Sequence, residues 1–268
     1  MSGSPRLLID ADIAAFKAVT SPKDNPFADP MEAAAEYFSA YIHKAVQATR
    51  PGSCIEVCFS DPAFNWRKEF EPSYKENRKG VEKPPMLDPF KAAMKKAWSG
   101  RVLRWLEADD VMGILATSND GHDDIIVSED KDMRTIPAKV YNPAKPELGV
   151  LEITPTQANQ FHMWQTVVGD ATDGYPGCPG IGPGCEYSSS PFGVDIKEGA
   201  KSFGWAHDLL SIEDPLELWD AVLDAYASQG RTEADAIHQA RLASICRRTN
   251  WDSDKQRVRL WNPTHLFY

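Results

Sequence analysis

Short, mainly apolar runs alternate with longer stretches of helical spacing over the first 150 or so residues. Leu7–Ile9, Cys54–Phe59, Val102–Leu106 and the β-branched Ile125–Val127 have strand length, and a further short strand is expected at Val140 and Tyr141. Between them Met31–Arg50, Asp88–Trp98 and Asp109–Ala116 read as helices. This alternation predicts an α/β fold, a mostly parallel sheet with helices on both faces. After Leu151 the texture changes to helices and loops. Thr154 and Pro155 form an N-cap and first turn for a helix running to Val168. A Gly/Pro-rich passage, Gly174–Gly184, leads into a Ser- and Gly-containing insertion to about Gly204, expected as a surface loop. Helices over Pro215–Ser228 and Glu233–Arg248 follow, the second opened by Thr232 and Asp235 at capping-box spacing. No internal repeat is present. The expected organisation is an α/β core over residues 1–153, with a basic helical region at about 64–100, followed by a helical region over 154–268.

Among 268 residues, 42% hydrophobic and 25% charged, the composition is that of an ordinary soluble globular protein and excludes disorder, collagen and coiled coil. No apolar run reaches the roughly 18 residues a membrane helix needs. The run Leu7–Ile9 is broken at once by Asp10 and Asp12, unlike a signal peptide, so a cytoplasmic location is expected. The five cysteines, Cys54, Cys58, Cys178, Cys185 and Cys246, show neither a C-x-x-C pair nor histidines at zinc-site spacing. All five are expected as small core residues, with Cys54 and Cys58 on one face of a strand.

Charge complicates this picture. Asp plus Glu number 39 and Lys plus Arg 29, a net −10 that by itself argues against electrostatic nucleic-acid binding. The distribution is polarised, however. Arg67–Arg104 holds eleven basic and five acidic residues, net +6, whereas Trp105–Asp132 holds nine acidic residues and only Lys131 as a base, net −8. Carboxylates gathered around divalent metals would leave the remaining surface near neutral or locally basic.

The positions of the acids support that grouping. Asp10, Asp61, Glu107 and Asp130 each follow a predicted strand, and the carboxyl ends of parallel strands form the ligand crevice of an open α/β sheet. Asp109 and Asp110 join Glu107 at a helix N-terminus, where negative charge is tolerated, and Asp130 with Asp132 and Asp170 with Asp173 make two further pairs. Nine carboxylates packed together repel one another and raise their own pKa values unless a cation neutralises them. Oxygen-only ligands suit Mg²⁺ or Mn²⁺ rather than zinc. Two such ions about 4 Å apart suit phosphodiester hydrolysis.

Six segments, in this order, are similar to a known family: Leu8–Asp12 (LIDAD), Phe59–Asp61 with Asn65–Arg67 (NWR), Tyr74–Lys79 (YKENRK), Glu107–Asp110 (EADD), Ser128–Asp132 (SEDKD) and Val168–Gly174 (VGDATDG). Together they resemble the 5′ nuclease, or flap endonuclease, superfamily, and most of all the 5′ to 3′ exonucleases of short-tailed bacteriophages. The resemblance implies a PIN-like core with a helix-three-turn-helix-like element after it. It implies a first metal site of Asp10, Asp61, Glu107 and Asp109 with Asp110 alongside, and a second of Asp130, Asp132, Asp170 and Asp173. Asp10 and Asp130 would be essential to catalysis. Lys75 and Arg78, three apart on a predicted helix, would contact the scissile phosphate. Arg67, Lys79 and Lys83, with Lys91, Lys95 and Lys96, would gather the DNA strand. Gly177, Gly180, Gly182 and Gly184 would form the glycine-rich turn that grips duplex phosphates and in the family often binds K⁺. Gly184, Cys185 and Glu186 stand where Lys or Arg often follows, which weighs against K⁺ here. The implied substrate is DNA with 5′ ends, gaps or flaps, and RNA in RNA–DNA hybrids.

Phe64, Trp66 and Tyr74 lie beside Asp61 and the basic stretch, where one could stack on a frayed base, although core packing is the simpler expectation for Phe64. Trp98, Trp105, Trp164 and Trp219 read as core, and none of the six histidines is assigned a catalytic role. Two other readings compete. Asp10-Ala-Asp12 and Gly169–Asp173 also fit a haloacid-dehalogenase-like phosphatase, with Asp10 as nucleophile and Asp12 as general acid. A catalytically silent DNA-end-binding module would keep the basic surface but gains nothing from nine acids beside a phosphate.

Overall fold

The computed structural model describes residues 6–21, 29–49, 54–118, 123–182, 185–187, 194–196 and 208–267. A five-stranded sheet carries the first half of the chain, in the order β2-β1-β3-β4-β5. Its strands are β1 (Arg6–Asp10), β2 (Cys54–Cys58), β3 (Ile125–Val127), β4 (Lys139–Tyr141) and β5 (Val150–Glu152). The first four run parallel and β5 is antiparallel to β4. Leu7, Leu8 and Ile9 of the central β1 are completely buried, as expected of a parallel strand covered on both faces.

Alternation along β1 divides the core. Leu7 and Ile9 pack with Val57, Ile125 and Val127 against α1 (Ala11–Thr20), α2 (Pro30–Thr49) and α4 (Leu87–Ala97). Leu8 packs with Cys58 and Ile126 on the other face, against Val111, Met112 and Ile114 of α5 (Ala108–Ala116). The four-residue helix α3 (Arg67–Phe70) lies between β2 and α4 in sequence. Each fully buried large apolar side chain contributes about 1.5–3 kcal/mol.

The C-terminal part has a helical cluster of its own, in which α6 (Pro155–Val168), α7 (Pro215–Ser228) and α8 (Glu233–Ala243) bury Met163, Val167, Trp219, Val222, Tyr226 and Ala240. It is also tied to the sheet, because Ile153, Ala158, Ile245 and Trp251 belong to the second-face core. Strands β6 (Cys185–Tyr187) and β7 (Val194–Ile196) pair antiparallel, as do β8 (Trp251–Asp252) and β9 (Arg257–Val258). Among the described residues no helix is long and apolar enough to cross a membrane.

Thr154 caps α6 through Gln157 with Pro155 behind it, and Thr232 and Asp235 cap α8 reciprocally, as the sequence predicts. Three expectations are corrected. Val102–Leu106 is not a strand: only Arg101 bridges to Cys58, and the chain then turns through Trp105 at φ 70°. Strand β5 was not expected from the sequence and forms the sheet edge, with Val150 and Glu152 exposed and Leu151 half-buried. Helix α8 stops at Ala243 because the backbone beyond it is drawn to other partners, with the Ser244 carbonyl accepting from Arg67 and the Cys246 N–H donating to Asp110. Cys54 is exposed, while Cys58, Cys178 and Cys246 are buried.

Candidate active site

Asp10 is the last residue of β1 and is 1% exposed. One carboxylate oxygen accepts the Ile13 N–H and caps α1, and the other accepts the Ser128 hydroxyl at 2.7 Å. The same Ser128 Oγ receives the Asp130 N–H, and Asp130 Oδ1 receives the Asp132 N–H at 2.9 Å, so the loop after β3 is held against the end of β1. Burial, with the charges of Asp12 and Asp130 close by, pushes Asp10 up to about 7. Burial and the charge of Asp130 do the same to Asp132, also to about 7. Asp109, half-buried, is raised well above its ordinary value by desolvation and by the charges of Asp10, Asp130 and Glu107. These acids share one electrostatic neighbourhood that disfavours full ionisation.

Beside them lies a cation-rich group. Glu107 caps α5 in a reciprocal box with Asp110. Lys75 Nζ lies 2.7 Å from Glu107 and 3.3 Å from Asp173, and Arg78 lies 2.7 Å from Asp173. Tyr74 donates its hydroxyl to Asp173 at 2.8 Å. Burial raises Glu107, but Lys75 and Arg67 outweigh it and hold the carboxyl down at about 2. Lys75 and Arg78 converge as expected, though not on one α-helix: Lys75 is left-handed at φ 57° and precedes a single 3-10 turn, Glu76–Arg78. Such a conformation costs a non-glycine residue about 1–3 kcal/mol. It is locked by the Lys75 N–H donating to the Asp173 carbonyl.

A second cation divides the other acids, with Lys131 Nζ 2.6 Å from Asp132 and 2.5 Å from Asp170. Burial raises Asp170, but Lys131 and the N–H groups of Thr172 and Asp173 bring it below its ordinary value. Asp61 accepts from the Ala63 and Trp105 amides. Among the described residues no three acidic, histidine or cysteine side chains stand in ready-made ligating geometry. The donor set nonetheless fits a hard divalent cation. It consists of oxygen alone, and Asp130 presses on Asp10, Asp109 and Asp132 with negative charge that such an ion would neutralise.

Several expected roles change. Asp110 is fully buried, and both its oxygens are occupied by Arg67, Trp66 Nε1 and the Cys246 N–H, which makes it a structural anchor rather than a metal ligand. Arg67 is 3% exposed, bonded to Asp110, Glu107 and the carbonyls of Leu242 and Ser244, and so is buried away from any DNA strand. Lys79 and Lys83 are exposed, whereas Lys91 pairs with Asp12 at 2.6 Å. Gly177 packs so closely on Gly169 that a Cβ would lie 2.4 Å from the Gly169 amide nitrogen, and its own N–H donates to Gln239. That amide is therefore not offered to a phosphate. Gly180 is left-handed at φ 77°, Gly182 is half-buried, and Gly184 lies outside the described residues. Trp66 and Tyr74 are buried and unable to stack on a base, while Phe64 is 46% exposed and Trp105 is partly so.

Sequence reasoning missed Gln165, whose amide donates to Asp132 at 2.6 Å. Helix α6 buries Asn159, Gln160, His162, Gln165 and Thr166 among its apolar residues, so no amphipathic stripe singles this one out. Ser128 and Lys131 lay within a quoted motif, but their contacts became visible only in three dimensions.

The chain belongs to the 5'-3' exonuclease family, whose N-terminal resolvase-like domain matches residues 5–155. It is 34% identical over 226 residues to an exonuclease of Escherichia phage T7, covering 79% of this chain and 75% of that protein. It is 27% identical over 164 residues to a flap endonuclease of Shewanella baltica, covering 57% and 62%. The T5 5'-exonuclease solved with bound zinc shares the fold at a TM-score of 0.59 and 16% identity, covering 90% of this chain and 89% of that one.

Proposed function

We propose that this protein hydrolyses DNA phosphodiester bonds from the 5′ side, as a 5′ to 3′ exonuclease that also cuts 5′ flaps and removes RNA from RNA–DNA hybrids. It would use two divalent cations, Mg²⁺ with Mn²⁺ as a substitute. The observation that carries this reading is the acid cluster at the carboxyl edge of the sheet, in which the charge of Asp130 bears on Asp10, Asp109 and Asp132 and raises all three, beside Lys75 and Arg78. Asp10, Asp61, Glu107 and Asp109 would hold one ion, and Asp130, Asp132, Asp170 and Asp173 the other. The bound ions would supply an activated water and charge neutralisation at the leaving oxygen.

The chain's own residues do the rest. Ser128 and Gln165 orient Asp10 and Asp132 by hydrogen bonds. Lys75 and Arg78, fixed on Asp173, place positive charge where the phosphate becomes more negative in the transition state. Exposed Lys79, Lys83, Lys95 and Lys96 attract the strand. The phosphatase alternative finds no support, because Asp12, its general acid, is paired with Lys91.

The test is product length over time from labelled 5′-flap and blunt duplex DNA, in Mg²⁺ and in EDTA. Metal-dependent mono- or dinucleotides would establish exonuclease action, and flap-length fragments endonuclease action. No cleavage in Mg²⁺ or Mn²⁺ would overturn the proposal. Within the same assay, Lys75→Ala is expected to reduce kcat by about 10²–10³-fold, with a smaller change in KM. A change confined to KM or Kd would reduce Lys75 to a phosphate contact outside the chemical step.

A further inference from the structure

Phe64 is the exposed aromatic residue nearest in sequence to Asp61, with 46% of its surface open to solvent. Its ring lies against that of Trp105, with centroids 5.4 Å apart and planes tilted by 38°. Exposed Arg104 sets its guanidinium 5.0 Å from the Trp105 ring centre. The pair is held firmly. Asp61 N–H donates to the Leu106 carbonyl at 2.8 Å, Trp105 N–H donates to the Asp61 carboxylate at 2.7 Å, and Trp66 N–H donates to the Trp105 carbonyl at 2.9 Å. These three bonds clip the 61–66 loop to the 105–106 turn and keep Trp105 left-handed at φ 70°, a conformation a bulky side chain adopts only when its surroundings impose it. Trp105 also packs on the second-face core, so Phe64 stands on a rigid base.

Exposed Val81 and Leu216 are aliphatic, offer no π face and are ordinary surface positions. Phe64 differs in its chemistry. A supported aromatic face beside an arginine suits a ligand that is flat, π-rich and anionic along its length. We propose that Phe64, backed by Trp105 and flanked by Arg104, is a stacking site for one unpaired nucleobase of the substrate strand. The proposal rests on the DNA-cleaving reading above. Through the Trp105–Asp61 bond it places the stacked base next to the candidate ligand set, so the site positions the strand and Phe64 is a positioning residue.

The test measures binding by the full chain in Ca²⁺, using 5′-flap DNA that carries a single 2-aminopurine or a single abasic site at successive positions. Wild type is expected to quench 2-aminopurine at one unpaired position. Phe64→Leu should abolish that quench and weaken binding about tenfold, and Phe64→Trp should restore both. An abasic site at the same position should bind wild type and Phe64→Leu equally, which a merely structural role for Phe64 would not produce. Equal affinity of wild type and Phe64→Leu for the intact flap would overturn the proposal, as would loss of affinity that is the same for intact and abasic DNA. Because the readout is binding, the two proposals fail separately. Quenching without cleavage in Mg²⁺ would sink the nuclease reading alone, and cleavage without quenching would sink the stacking site alone.

Discussion

Asp10→Asn is expected to lower cleavage at saturating Mg²⁺ by about a thousandfold or more, while DNA affinity in Ca²⁺ stays within about threefold of wild type. The substitution is conservative in shape. Asparagine caps a helix as well as aspartate does, so the bond to the Ile13 N–H and the start of α1 survive. What is lost is the charge at the end of β1, where the acids of three segments meet. Removing that charge has a second consequence, readable without any turnover. The folded-state pKa of Asp10 is raised from 3.8 to about 7 by burial and then by Asp12. A raised carboxyl pKa gives stability that is fully present below about 4 and is lost as pH rises through about 7, because the folded state binds more protons than the unfolded state across that window. In EDTA, wild-type Tm should therefore fall from pH 4 toward pH 8. The fall should be shallower in Asp10→Asn, and Mg²⁺ should restore wild-type Tm at pH 8. Less than about a tenfold loss of cleavage would remove Asp10 from the ligand set, and a Tm profile unchanged by the mutation would remove it from the coupled group.

Arg67→Ala should destabilise the fold by about 3–5 kcal/mol, measured as a lowered urea midpoint at unchanged m-value. The guanidinium holds four partners: Asp110 and Glu107 at the start of α5, the Leu242 carbonyl in α8 and the Ser244 carbonyl just beyond it. Its removal leaves Asp110, which has no solvent exposure, as a charge with only Trp66 Nε1 and backbone N–H groups to compensate it. A midpoint within about 0.5 kcal/mol of wild type, together with weakened DNA binding, would instead return Arg67 to the role of a strand contact.

The correction at Arg67 shows where sequence reading gives out. In the sequence Arg67 begins a basic run and looks like its neighbours Lys68 and Lys75. Its burial follows from α8 and the Ser244 carbonyl closing over it, contacts about 175 residues away along the chain. Asp110 is the same case, since one residue after Asp109 on the same helix it points into the core while Asp109 is raised by the acids of the crevice. Helix periodicity places Asp109 and Asp110 on different faces but does not say which face meets the sheet. Lys75 and Arg78 were singled out by the resemblance of their motif, whereas spacing placed them on a helix, and the left-handed backbone that brings both to Asp173 carries no glycine to announce it.

By itself the sequence determined the alternation of strand and helix, the capped starts of α6 and α8, and the placing of Asp10, Asp61 and Asp130 after strands, because these depend on local propensity and on the period of apolar positions. Tertiary structure decided which charges are buried in pairs and which face the crevice, that the segment before Glu107 turns instead of pairing along its length, and that Gln165 and Ser128 support the acids. Those outcomes depend on long-range packing, where the cost of burying a charge is set by partners that no local pattern reveals.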